Sequence, residues 1–191
     1  VRGEIPALFT GEADQRYLFF TDGQTQYLNK IDDQSNGFFV TKWTNLTDNG
    51  QTASNTADGG VNTDYPLFRL ADVYLTLAEA LYLKPASSET DKEEAISYIN
   101  TIRNRANLDE INSKDITTEE KFIEILLKER SHELWCENGQ YRADLIRFNK
   151  FVEHAETVKG TVYASKNKEL YPLPLSAIND GKGFVIQNPG Y

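Results

Sequence analysis

Beyond Pro66 the apolar residues recur every three or four positions, and a chain with that period has to fold as helices that bury one face on one another. Leu70, Val73, Tyr74, Leu77, Ala78 and Leu81 form the first stripe. It ends near Lys84-Pro85, because proline has no amide hydrogen to donate and its ring clashes with the preceding turn. Asp91-Lys92-Glu93-Glu94 reads as a capping box that opens a second helix, with Ala95, Ile99, Ile102 and Ala106 on one face. Thr117-Thr118-Glu119-Glu120 reads as another box. The long third helix that it opens carries Phe122, Ile125, Leu126 and Leu134 and breaks at Asn138-Gly139, and a shorter fourth helix is expected from Gln140 to about Val152.

Two consecutive hairpins with small Ala residues at packing positions have the pattern of tetratricopeptide-like units, which bury their faces only by stacking on neighbours, so further units are expected upstream. The chain contains no Met and opens on Val1, which predicts a processed or excerpted piece of a longer polypeptide. Residues 1–66 differ in kind. They are rich in aromatics, Gly, Asn, Asp and Thr, and Tyr17-Leu18-Phe19-Phe20, Tyr27-Leu28 and Phe38-Phe39-Val40 read as brief strands. Asn45 to Asp64 is too polar and Gly-rich for a buried element and is expected as a long surface loop. From Thr161 onward the prolines of Leu170-Tyr171-Pro172-Leu173-Pro174 favour an extended strap. The expected fold is therefore mostly α, with helical hairpins, irregular loops and a few short strands. Its divisions are an irregular region 1–66, hairpins 67–152 and a C-terminal strap 153–191.

Twenty Lys and Arg against 29 Asp and Glu give a formal net charge of -9. No segment concentrates the basic residues, so nucleic acid would be repelled and is not an expected partner. No run approaches the 18 or so apolar residues of a membrane span, and Val1 to Asp14 lack the order of a signal peptide, so a soluble chain is expected. The single Cys136 excludes an internal disulfide and, beside Trp135 in a helical pattern, reads as core filler.

Glu129 and Glu133 lie one helical turn apart and continue the apolar stripe of Phe122, Ile125 and Leu126. One reading is the acid and base pair of a glycoside hydrolase. The favoured reading is a buried network neutralised by arginines such as Arg130, Arg142 or Arg147, because a buried charge without a partner is costly. His132 and Cys136 have ligand spacing, but one Cys and two His are too few for zinc, and no metal or cofactor is expected. Asp48, Asp58, Asn62 and Asp64 lack the order of a calcium loop and read as turn formers. Trp43 and Tyr65 bracket a segment rich in Asn, Asp, Thr and Gln. Sugars bind by laying C–H faces on aromatic rings while amides take the hydroxyls, so Trp43, Asn45 and Tyr65 are the candidate ligand-binding residues, with core packing as the alternative for the two rings. Phe38, Phe39 and Tyr27 read as core.

Five segments then occur in an order that resembles one family. Arg69 to Ala80, RLADVYLTLAEA, resembles the RLAEVYLxxAEA signature of SusD/RagB proteins, and Ala95 to Ala106 resembles their xxYINxVRxRA segment. Leu127 to Leu134 is similar to their ERxxEL helix, and Tyr141 to Phe148 to their RxxDLxRW stretch. Leu170 to Pro174 with Gln187 to Tyr191 is similar to their LYPIP and QNPGY ending. Asp72 stands where Glu is usual, and Phe148 where Trp is usual. The resemblance implies an outer-membrane lipoprotein on the extracellular face, held by lipid on an N-terminal Cys that lies outside this chain. It implies a noncatalytic protein that captures an oligosaccharide or polysaccharide and delivers it to a SusC-like TonB-dependent transporter. Its motifs belong to the scaffold, so the candidate site residues rest on local chemistry alone. A protein or peptide interaction module without sugar binding is the alternative.

Overall fold

A computed structural model describes residues 5–9, 13–30, 32–47, 49–54, 60–61, 63–159 and 164–191. They form two compact units, Val1–Asn138 and Gly139–Tyr191, so the boundary falls inside the stretch 67–152 that was expected to be one hairpin region. Asp48, Asp58, Asn62 and the start of the expected tail at Thr161 lie outside the described residues.

In the first unit, α1 (Leu70–Leu83) and α2 (Glu89–Arg105) make a helical hairpin, and α3 (Glu119–Glu133) packs against α1. α2 begins a turn earlier than expected. Ser88 is the N-cap: its hydroxyl accepts the Asp91 N–H at 3.1 Å while the Asp91 carboxylate accepts the Ser88 N–H at 2.9 Å. At α3 the Thr118 hydroxyl accepts the Lys121 N–H, but Lys121 occupies the position from which a carboxylate would reach back, so the expected box is only half built.

The core takes Leu75, Ala78 and Tyr82 from α1, Ala95, Ile96, Ile99 and Ile102 from α2, and Phe122, Leu126 and Leu127 from α3. The Phe122 and Tyr82 rings stack at 3.8 Å. The α2 face is as expected. On α1 the buried face is displaced from the expected stripe: Ala78 is shared, but Leu70, Val73 and Leu77 point outward. Both stripes have helical spacing, and α2 and α3 cover only one of them.

A second core gathers Phe9, Phe19, Phe38 and Trp135, the last stacked on Phe19 at 4.5 Å. Phe19–Phe20 (β1) and Phe39–Val40 (β2) pair antiparallel, Phe19 with Val40 and Phe20 with Phe39. Tyr27 and Leu28 lie in no strand, and Tyr27 and Phe39 are exposed, contrary to the core reading that holds for Phe38. Phe39 alternates to the outer side of its strand, and Tyr27 lies in a bend outside any strand. Cys136 is also exposed: α3 has ended at Glu133, and Cys136, Asn138 and Gly139 turn the chain with positive φ. Trp135 fills the core in its place, and His132 and Cys136 share no helix face.

In the second unit the expected fourth helix is two, α4 (Gln140–Arg147) and α5 (Phe151–Lys159), separated at Asn149, which has φ 56°. The Arg142 guanidinium lies between the Phe151 and Tyr171 rings, 4.7 and 4.3 Å from their centres, and donates to the Lys168 and Glu169 carbonyls. Residues 171–174 lie in no helix, as their prolines require, and the short α6 (Leu175–Asp180) follows within the tail. The Gln187 amide both accepts the Leu173 N–H and donates to its carbonyl, at 2.8 and 3.0 Å. The tail therefore fastens its own proline segment.

Candidate functional site

The last turns of α3 bury Glu129 and Glu133, at 1% and 2% exposure. Arginines neutralise both, as charges at that depth require, but the partners differ from those nearest in sequence. Arg16 grips Asp14 through two 2.8 Å bonds and reaches Glu129 with Nη1, while Arg103 donates to Glu129 at 3.1 Å. Glu133 accepts from Arg69 Nη1 at 2.6 Å and from Arg105 Nη2. Arg130 pairs with Asp72 at 3.0 Å, and Arg147 pairs with Asp144 in the second unit. Nothing local in the sequence marks Asp14 or Arg16, which lie in the irregular region far from α3.

The electrostatics follow from this geometry. Burial would raise the Glu133 pKa, but the Arg69 hydrogen bond and the charges of Arg69, Arg105 and Arg16 outweigh it and hold the carboxyl below its ordinary range. Burial opposes the Arg16 charge, and Asp14 and Glu129 more than restore it. Burial holds Lys42 below the usual lysine value even though Glu137 pairs with it. His132 is also held down by burial; one ring nitrogen lies 2.8 Å from the Leu8 carbonyl and the ring stacks on Phe9. A hydrolytic acid needs a carboxyl that keeps its proton near neutrality. Glu133 is driven the opposite way.

Above this network lies a cavity of about 350 Å³ whose lining includes Trp43, Lys42, Arg69, Arg105, Glu133 and Trp135. The Trp43 ring lies 5.4 Å from that of Tyr65, inclined by 37°. Tyr65 is half exposed, and its hydroxyl accepts the Asn138 backbone N–H at 2.7 Å. Trp43 and Tyr65 are thus brought together. Asn45 is not with them: it lines a separate cavity of about 500 Å³, among Thr47, Thr52, Ser54 and Thr63. Asp64 joins no group able to hold a metal among the described residues.

The fold and site define a helical-hairpin protein whose deep carboxylates are neutralised internally and whose irregular N-terminal region borders its cavities. The model for the SusD family matches residues 10–191. Starch-binding protein SusD of Bacteroides thetaiotaomicron is 33% identical over 164 residues, which are 82% of this chain and 26% of that protein. Among solved structures, surface glycan-binding protein A from Bacteroides thetaiotaomicron has a TM-score of 0.67 at 23% identity, covering 99% of this chain and 41% of that one, a likeness of fold. The chain belongs to the SusD family, and it spans about a quarter of the length of the curated relative.

Proposed function

We propose that this chain is part of a noncatalytic surface protein that holds an oligosaccharide and passes it to a SusC-like TonB-dependent transporter. The observation that carries the reading is the inclined pair of Trp43 and half-exposed Tyr65 beside an open cavity. Two inclined rings offer a sugar chain an apolar floor that follows its curvature. Asn45 and the surrounding Thr and Ser hydroxyls give the neighbouring stretch of loop the groups that take sugar hydroxyls. Family membership and relatives that carry the names starch-binding and surface glycan-binding protein support the same reading. A lipid anchor upstream would place the protein on the outer face of the outer membrane. A shallow platform binds weakly, which suits handover.

The test is retention on immobilised polysaccharides, with Trp43→Ala as control. Loss of one stacking ring is expected to weaken binding about tenfold, the scale of 1–1.5 kcal/mol for an aromatic contact. Unchanged retention of the Trp43→Ala chain would remove the platform, and reducing-sugar release abolished by Glu133→Gln would replace capture by hydrolysis. A role of the hairpins in protein interaction has its own observation, the outward Leu70, Val73 and Leu77 of α1. A co-purifying transporter that is lost on alteration of that stripe, but kept on alteration of Trp43, would favour it.

A further inference from the structure

The charges around the cavity beside Trp43 are unbalanced. Four cationic side chains line it, Arg16, Lys42, Arg69 and Arg105, and with Arg103 behind them they meet the carboxylates of Asp14, Glu129, Glu133 and Glu137, so that among the described residues five cations face four carboxylates. The chain as a whole carries a formal net charge of -9, so this is a locally positive recess in an acidic protein. Charges in a recess are less screened by water than charges on an open surface, so a surplus there attracts an anion over short range.

The cations differ in what they leave free. Arg16 commits its guanidinium to Asp14, Glu129 and Glu133. Lys42 Nζ donates to the Glu133 and Trp135 carbonyls at 2.9 and 2.8 Å and pairs with Glu137, which uses its three hydrogens. Arg69 is held by both carboxylates and by the Glu133 carbonyl. Among the described residues Arg105 is anchored through Nη2 alone, to Glu133, and its side chain is 58% exposed. A buried carboxylate therefore fixes one edge of this guanidinium while Nε and Nη1 have no partner among the described residues, an orientation prepared for a second anion.

We infer that the cavity takes the acidic unit of an anionic oligosaccharide, its carboxylate or sulfate on the open edge of Arg105 and its ring against Trp43. This rests on the glycan reading of the same cavity. A cavity of about 350 Å³ admits one sugar ring with its substituent, and Trp43 supplies the apolar wall.

Calorimetric titration of this chain with three ligands of matched length tests it: oligogalacturonate, a sulfated galactan oligosaccharide and a neutral malto-oligosaccharide. At least one acidic ligand is expected to bind more tightly than the neutral one, and which one identifies the anion. Arg105→Gln is expected to weaken the acidic ligand about tenfold, the scale of a charge-assisted hydrogen bond, and to leave the neutral ligand within about twofold. Arg105→Lys keeps the charge and should retain part of the preference. Added salt should weaken the acidic ligand alone. Glu133 keeps Arg69 when Arg105 is replaced, so the variant is expected to fold; should it not, Arg105→Lys and the salt dependence of the unaltered chain decide. Equal binding of acidic and neutral ligands, or indifference of the acidic ligand to Arg105→Gln, overturns the inference. A neutral ligand that binds and is lost in Trp43→Ala would then leave the glycan reading standing, whereas no binding of any sugar would remove both.

Discussion

Glu133→Gln should destabilise the first unit strongly, because it removes a charge on which three arginines converge without changing the side chain's shape. Removing one member of a buried ion pair costs about 3–5 kcal/mol, since the partner is left charged and desolvated. The low end applies here. Arg105 is more than half exposed and can turn to water, so its share is discounted. Arg16 lies at 3.5 Å and keeps Asp14 and Glu129. Arg69 loses its 2.6 Å bond to the Glu133 carboxylate but keeps Glu137 at 2.7 Å and the Glu133 carbonyl. A cost of about 3 kcal/mol corresponds to a fall in unfolding midpoint of about 6–12 °C for a chain of this size. The chain's two tryptophans, Trp43 and Trp135, both lie in residues 1–138, so fluorescence excited selectively at tryptophan follows that unit on heating. A surface pair would cost under about 1 kcal/mol, or some 2–4 °C. A midpoint within about 2 °C of the unaltered chain would therefore show that the network is dispensable, and the account of α3 given above would be wrong.

Acid should weaken the same unit in two stages. The fold keeps His132 below its ordinary pKa of 6.5, so the folded state binds fewer protons than the unfolded chain; the stability this gives is complete above pH 6.5 and is lost as pH falls through the lowered folded value. Glu133 and Asp14, both held below their ordinary values, add a further loss that starts near pH 4.5 and deepens toward lower pH. Fluorescence-monitored urea midpoints between pH 8 and pH 3 should fall in that order, and a flat profile would contradict it. Phe122→Ala should cost about 3–5 kcal/mol, because the fully buried ring stacks on Tyr82 and leaves a cavity that the hairpin cannot close. A urea-derived loss under about 1 kcal/mol would show that the site collapses or is not packed as described.

The helices were legible because local chemistry marks them. Ala95, Ile99, Ile102 and Ala106 fall on one face of α2, and that face is buried. α1 was harder: Leu70, Val73 and Leu77 have the same spacing as Leu75, Ala78 and Tyr82, and spacing alone does not tell which stripe is covered. The partners of the buried carboxylates were beyond reach for a different reason. Any arginine can neutralise any carboxylate, so the nearest ones in sequence look most plausible, yet Arg16 and Glu129 are 113 positions apart and Arg69 and Glu133 are 64 apart. At the candidate site the aromatic surplus pointed to Trp43 and Tyr65, which do meet. Asn45, two residues from Trp43, faces another cavity because an irregular backbone has no fixed side-chain period to carry one residue's direction over to the next.

The pairings also explain why three of the segments that identify the family occur together. RLADVYL supplies Arg69 and Asp72, the segment ending in Arg103 and Arg105 supplies two more cations, and LKERSHEL supplies Glu129, Arg130 and Glu133. Arg69 meets Glu133, Asp72 meets Arg130, Arg103 meets Glu129, and Arg105 meets Glu133. The segments are the parts of one cage that draws the starts and ends of three helices together. A change in one of its buried charges leaves an opposite charge stranded in another segment, so each constrains the others more tightly than apolar packing would, where a volume-conserving exchange costs little. Asp72 fits this logic: it stands where Glu is usual in the family, and it still reaches Arg130 at 3.0 Å. Apart from Arg105, the cage fixes the scaffold through charges committed to one another. Arg105, the member whose Nε and Nη1 have no partner among the described residues, is the point at which the scaffold and a ligand could share a residue.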